Sequence, residues 1–334
     1  MSGRRTTLVW SRRRMACEGC GSRFLEDHHA FEGALTVRLA RALVADAKVM
    51  TLRAAARRRS VSWHKINSLV RAFAGVVAER RRCERCRVLL VDETSMRRRH
   101  RYVTVIVNAD TGRTLAMVPH RSSAALSAFL AQQGHRWCRG VKVVVTDGSL
   151  AYRSAIDARL GHARHVLDRF CVIRWFAVGL TAVRRDVQRR PEGAKPALEP
   201  DALRARFALL RRVDTLTEAE LARLRTLFDA HPRLEAGWKA LQELCGLYTA
   251  GNHHSALDAH GRFCDLYETG ELPEFHDIVD TFIARSDEIL AWHHAGRPSN
   301  GRIDGTNNLL QVLRRTTHGF TNHTNFEARG LLTT

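Results

Sequence analysis

No stretch of this sequence approaches the roughly 18 to 20 uninterrupted apolar residues of a membrane span, and its opening MSGRR lacks the apolar core of a signal peptide. A soluble, cytoplasmic protein is therefore expected. There is no internal repeat with a period of roughly 20 to 50 residues, which excludes a solenoid, and no long low-complexity linker. Disulfides are not signalled either. Eight Cys in 334 residues, with Cys138, Cys171, Cys245 and Cys264 standing alone, fit a reducing compartment and read as small buried hydrophobes. Acidic residues are few: 34 Asp and Glu face 54 Lys and Arg, for a formal charge of +20. What the chain does have is 45% hydrophobic residues, which excludes disorder and supplies one large or two to three smaller cores.

The positive charge is concentrated. Residues 1 to 101 carry 24 Lys and Arg against 9 Asp and Glu, a distribution that rewards a phosphate backbone through counterion release. An anionic membrane would also attract it, but no amphipathic helix with a continuous apolar face accompanies the arginine runs. Residues 1 to 32 carry Cys17 and Cys20, Phe24 and the His28-His29 pair, with little sign of regular structure. From Leu35 onward three short helical stripes follow: Leu35, Leu39 and Leu43; then Thr51 to Arg59; then Ser62 to Phe73 with Ile66, Leu69 and Val70. Three helices with tight connections read as a helix-turn-helix, the last capped by Ser60 or Ser62. Its first turns would present Ser62, Trp63, His64, Lys65 and Asn67, of which Ser62, His64, Lys65 and Asn67 suit base edges and phosphates in a major groove. The alternative is an ordinary three-helix bundle, disfavoured by Arg57, Arg58, Arg59 and Arg71 around it.

The pattern then turns to strands. RVLLVDET (87–94), YVTVIVNAD (102–110) and Thr114 to Arg121 read as an antiparallel meander. A helix over Ser122 to Gly134 leads to the apolar strand VKVVVT (141–146), and such a crossover implies parallel pairing with the first strand. Ala151 to Leu160 reads as helix, His162 to Leu167 as a fifth strand, and Val172 to Arg190 as a basic helix. From Pro191 to about Trp292 the signal is helical, and a last helix is expected near Asp304 to Arg315.

Two acids stand out by position: Asp92 and Asp147 each follow an apolar strand. If those strands are parallel neighbours, the carboxylates converge at one edge of the sheet, where open α/β sheets place their sites. Two carboxylates that close repel unless a cation lies between them, and hard oxygen donors select Mg²⁺ or Mn²⁺. Each Asp taken singly is also a plausible turn former, Asp147-Gly148 being a common turn dipeptide. Glu93 is expected on the opposite face of its strand, in solvent. The histidine pairs are weak metal candidates, because adjacent side chains diverge on a regular element.

The segments VLLVDETSMRRRHRYVTVIVNADTGRTLAMVPHRS, VKVVVTDGSLAYRSAI, HARHVLDRF and SNGRIDGTNNLLQVLRRTTHGFTNHTNFEARGLL together resemble the DDE transposases of the IS-L-three insertion-sequence group. The resemblance implies a ribonuclease-H-like α/β core with a mixed five-stranded sheet (79–190), interrupted by an all-α insertion (191–292). An all-α helix-turn-helix (33–78) precedes the core, the last catalytic helix and tail (293–334) follow it, and residues 1–32 form a partial zinc-finger-like segment. It also implies three metal-binding catalytic acids, Asp92, Asp147 and Asp304. The third falls where the family has a Glu, one methylene longer; helix capping is the other role open to Asp304. Asp168, in the DRF block, is expected to be structural. Of the family's finger only Cys17 and Cys20 match, so the finger is expected to be incomplete. The pair Cys83 and Cys86 follows at a distance longer than structural zinc sites usually close.

These readings converge on an enzyme that binds terminal inverted repeats in double-stranded DNA and uses Mg²⁺ for cleavage and strand transfer. Arg97, Arg98, Arg99 and Arg101, in the turn beside Asp92, would hold the phosphate backbone, and pairing of two ends would require an oligomer on DNA. The alternatives are a catalytically inactive DNA-binding protein or repressor derived from such an enzyme, and a nuclease of the same fold without end preference.

Overall fold

The computed structural model describes residues 8–32, 35–97, 101–188, 203–268 and 272–334. In chain order its elements begin with four short strands, β1 (Arg14–Ala16), β2 (Arg23–Leu25), β3 (Phe31–Glu32) and β4 (Leu35–Thr36). Three helices follow, α1 (Val37–Val49), α2 (Leu52–Arg59) and α3 (Trp63–Arg82), then β5 (Val88–Arg97), β6 (Arg101–Asn108) and β7 (Arg113–Pro119). Next come α4 (Ser123–Gln133), α5 (His135–Gly140), β8 (Val143–Thr146), α6 (Arg153–Leu160), β9 (Arg164–Leu167) and α7 (Arg169–Val187). The helical stretch holds α8 (Glu218–Ala230), α9 (Pro232–Thr249), α10 (His253–Glu268), α11 (His276–Ala284) and α12 (Ser286–His294); α13 (Gly301–Thr316) and α14 (His323–Thr333) end the chain. Among the described residues no helix is long and apolar enough to cross a membrane.

The chain divides into two compact units. One comprises Met1–Val77 and Val312–Thr333, the other Ala78–Gln311. In the first, Leu43, Ala47, Ala55, Ile66 and Val70 form a core that also takes Ala328 and Leu332 from α14. Each helix start is capped: Thr36 accepts from Leu39 N (3.2 Å), Thr51 from Ala54 N (3.1 Å) and Ser62 from Lys65 N (3.2 Å). Ser60, left-handed at φ 52°, ends α2 instead. Helix α3 outruns its expected end at Phe73 because the following AGVVAERRR contains no Pro and enough strong helix formers to carry the helix through Gly75. The hairpin β1–β2 was not anticipated, since an alternation three residues long is too short to read.

In the second unit the five strands form one mixed sheet in the order β7-β6-β5-β8-β9. β5 pairs antiparallel with β6 and parallel with β8, and β8 pairs parallel with β9. β8 is buried along its whole length, as a strand covered on both faces must be. One face carries Leu89, Val91, Val144 and Ile106 against Leu126, Phe129 and Leu130 of α4 and Ile156 and Leu160 of α6. Ser122 caps α4, accepting from Ala125 N at 3.2 Å. Phe263, Phe275 and Phe282 of the helical stretch pack as core, with Phe176 of α7 4.9 Å from Phe263 and 5.6 Å from Phe282, centroid to centroid, whereas Phe207 is exposed.

Candidate active site

Val91 of β5 stands opposite Thr146 of β8, so the next residue on each chain is Asp92 and Asp147. Their strands end differently. β8 stops at Thr146, whereas β5 continues to Arg97, held by the longer β5–β6 hairpin. Asp92 is therefore in mid-strand, level with the end of its parallel neighbour, and not at a strand tip as expected. Arg97 is correspondingly not beside it: it lies five residues further, about 16 Å along the strand. Arg101 opens β6 and is exposed, while Arg98 and Arg99 lie outside the described residues.

Asp92, Glu93 and Asp147 each offer one carboxylate oxygen, and these oxygens lie within 4.8 Å of one another. Glu93 N donates to Asp92 Oδ1 (2.7 Å), Asn307 Nδ2 of α13 donates to Asp92 Oδ2 (2.7 Å), and Ser149 N donates to Asp147 Oδ1 (2.9 Å). Burial first, and then repulsion from Asp147, Glu93 and Asp304, pushes the Asp92 carboxyl up to about 7, although the bond from Glu93 N opposes the shift.

Glu93 corrects the sequence reading. Its side chain is 15% exposed rather than solvated, with Arg121 Nη1 donating to Oε1 at 2.7 Å. The far face of β5 is not open to water, because Tyr152 and the layer of α4 and α6 cover it. Glu93 Oε2 is buried without a hydrogen-bond partner, and burial raises this carboxyl as well. Three crowded carboxylates with an orphaned buried oxygen form a donor set that fits a hard divalent cation.

Asp304 occupies the first turn of α13 and is exposed; its backbone N–H donates to Asn300 O at 2.9 Å. Burial, then Asp168, raises its carboxyl. Three residues on, Asn307 shares its helix face and bonds Asp92, so α13 turns that face towards β5. Asp304 is outside the group of three whose oxygens lie within 4.8 Å. A Glu at this position would reach about 1.5 Å further. Asp168, 2% exposed, caps α7 by accepting from Cys171 N at 3.2 Å.

The loop that carries Asp147 is braced from behind. Arg285, 4% exposed, donates to Gly148 O and to Glu288 Oε2. Glu288 also faces His165 Nδ1 (3.5 Å) and Arg153 (3.6 Å), and His165 Nε2 meets Thr146 Oγ1 at 2.9 Å. Burial lowers the His165 pKa, which favours its neutral form. Gly148 sits at φ +93°, where a Cβ would come within 2.8 Å of Trp175. Sequence reading did not reach this brace. Its members are scattered from Thr146 to Glu288 and no short spacing signals them.

In the other unit, the capping residue Ser62 and Trp63, His64 and Lys65 on the first turn of α3 are exposed, whereas Asn67 is half-buried with its Oδ1 unpaired. Cys17 and Cys20 bracket the β1–β2 turn, where Gly21 N donates to Cys17 O at 2.9 Å. Cys86 is 2% exposed, its Sγ donates to Val88 O, and burial pushes the thiol up to about 12, a poor state for a thiolate ligand.

A family model described as a transposase matches residues 89–330, a span that includes Asp92, Asp147 and Asp304. The chain is 27% identical over 321 residues to the transposase for insertion sequence element IS1001 of Bordetella parapertussis, covering 95% of this chain and 78% of that one. It is 25% identical over 284 residues to the transposase for insertion sequence element IS1557 of Mycobacterium tuberculosis, covering 78% of this chain and 63% of that one.

Proposed function

The chain belongs to the IS-L-three family of DDE transposases, and on that premise we propose that it binds the terminal inverted repeats of an insertion sequence and catalyses their cleavage and strand transfer. The observation that carries this reading is the meeting of Asp92 and Asp147, from two parallel strands, with Glu93 beside them. Asp92, Asp147 and Asp304 are the proposed catalytic acids and Mg²⁺ or Mn²⁺ ligands, with Glu93 as a further carboxylate donor. Bound there, such ions supply charge stabilisation to the entering and leaving oxygens of an in-line phosphoryl displacement. The protein's own part is to hold Asp92 through Asn307 and Glu93 N, to hold the Asp147 loop through Arg285, and to keep Asp304 on the helix face that meets β5.

The helices α1 to α3 are proposed as the helix-turn-helix, with Ser62, His64 and Lys65 towards the DNA, a placement supported by their exposure. Asn67 is a weaker reader, being half-buried. Arg97, Arg98, Arg99 and Arg101 are retained as proposed contacts to the DNA backbone. Residues 191–292 are proposed as the all-helical insertion, whose α12 packs along β9. An oligomer would pair two ends. Zinc at Cys17 and Cys20 has no support beyond the turn that holds them.

One observation favours the second reading, an inactive DNA-binding repressor: Asp304 stands apart from the three clustered carboxylates. End cleavage separates the two. Purified protein and Asp304→Glu are incubated with Mg²⁺ and duplexes carrying either element ends or random sequence. The enzyme reading expects Mg²⁺-dependent nicking of end duplexes by the parent, with at least a tenfold gain in Asp304→Glu. End binding without nicking by either protein would establish the repressor, and nicking of both duplexes alike would indicate a nuclease.

A further inference from the structure

The first unit contains a cavity of about 200 Å³ whose wall includes Arg53 of α2, Trp63 of α3, Thr321, Asn322, and Asn325 and Arg329 of α14. It is smaller than the pockets that enclose organic ligands, roughly 300 to 1,000 Å³, and its wall is largely polar. Arg329 is the unusual member. It is 3% exposed, yet among the described residues no carboxylate oxygen lies within ion-pair distance of it. Its Nη2 donates to Ala47 O and, at 2.8 Å, to Met50 O, which ties α14 to the end of α1. Its Nε has no partner. Of the nearby acids, Asp46 pairs with Arg59 (2.6 Å) and Arg58 (3.5 Å), and Glu327 lies 3.8 Å from His323 Nδ1.

A guanidinium carries five donors and does not lose its charge at neutral pH. Burying it without a counter-ion is costly, and an anion entering the cavity would remove that cost. Arg53 stands at the same cavity and is exposed. Trp63, 41% exposed, begins the helix that carries His64 and Lys65. The unit as a whole, residues 1–77 with 312–333, holds 18 Lys and Arg against 6 Asp and Glu.

We propose that this cavity seats a backbone phosphate of duplex DNA between Arg53 and Arg329, so that α14 and the segment before it grip the same DNA that α3 reads. The inference rests on the transposase reading. Arg329 therefore has two tasks, fastening the end of α1 and presenting positive charge to a phosphate. The neutral donors of Asn322 and Asn325 complete the seat, and Trp63 closes it on the side of the reading helix.

The test measures affinity of the full chain for element-end and random duplexes across a salt series, using Arg53→Gln, Asn325→Asp and Arg329→Met, with Lys65→Ala and the exposed helical-region substitution Arg225→Gln for comparison. Arg53→Gln is expected to weaken binding about tenfold on both duplexes and to make the log–log salt dependence shallower by about 0.9, the loss of one phosphate contact. Asn325→Asp should weaken binding at least as much, and Arg225→Gln should change neither quantity. Thermal unfolding shows whether Arg329→Met still folds; the other two variants carry the test if it does not. Parental affinity and salt slope in Arg53→Gln and Asn325→Asp, with Lys65→Ala weakened, would overturn the phosphate seat and leave the transposase reading intact. A parent without preference for element ends would overturn the transposase reading itself. Inorganic phosphate at matched ionic strength distinguishes the remaining source: stabilisation of the parent but not of Arg53→Gln, with DNA binding unchanged, would assign the seat to a free ion and contradict the proposal.

Discussion

At the scale of single residues, the consequential feature is that Asp92 is crowded before any cation arrives. Its carboxyl ordinarily titrates near 3.8 but stands at about 7 in the folded chain, chiefly through burial. A group raised on folding binds its proton more tightly in the native state, so its contribution favours folding below its unfolded value and is lost as pH rises through the folded one. In EDTA the melting temperature of the parent, measured relative to Asp92→Asn, should therefore fall as pH rises from about 4 to about 7, whatever the buried histidines of the same unit add to both proteins. A parent-minus-variant difference that stays constant or rises over this interval would contradict the crowding. Glu93 belongs to the same group for a reason that alternation hides. Its side chain leaves from the other face of β5, but that face is roofed by Arg121 and the helical layer.

At the scale of elements, the sheet was the most legible part of the sequence. Short runs of Val, Ile and Leu, one crossover helix and a strand buried on both faces are enough to order β5, β6, β7 and β8; β9 was legible as a strand, but its place beside β8 was not. Strand ends were less legible. The length of β5 depends on its hairpin partner, so Asp92, expected at a strand tip, lies in mid-strand, five residues before Arg97. Least legible was the brace behind Asp147, because Arg285 and Glu288 reach it from a helix 137 residues beyond Gly148. That brace makes its own prediction. Gly148→Ala adds a Cβ 2.8 Å from Trp175 and 3.2 Å from Arg285 Nη1, at a φ of +93° that side chains resist. The expected cost is about 1 to 3 kcal/mol of stability, together with weaker divalent-cation binding because Asp147 shifts. A variant that keeps both the parental melting temperature and the parental Mn²⁺ affinity would show that the loop is not held in this way.

At the scale of the whole molecule, two chemistries fall to two units of one chain. A basic unit built from both ends of the sequence is suited to DNA, and a mixed sheet gathers the carboxylates. The family match covers residues 89–330, which includes α13 and all of the sheet but its first residue, Val88. Asp304 could be assigned only through the family motif, because a carboxylate in the first turn of a helix is common without catalysis. What joins the account together is the proposal that the carboxylates of β5 and the β8 loop share a divalent cation. Mn²⁺ titration followed by electron paramagnetic resonance tests this directly on the parent, Asp92→Asn and Asp147→Asn. The account expects saturable binding by the parent and at least a tenfold loss of affinity in each variant; equal binding by all three proteins would contradict it.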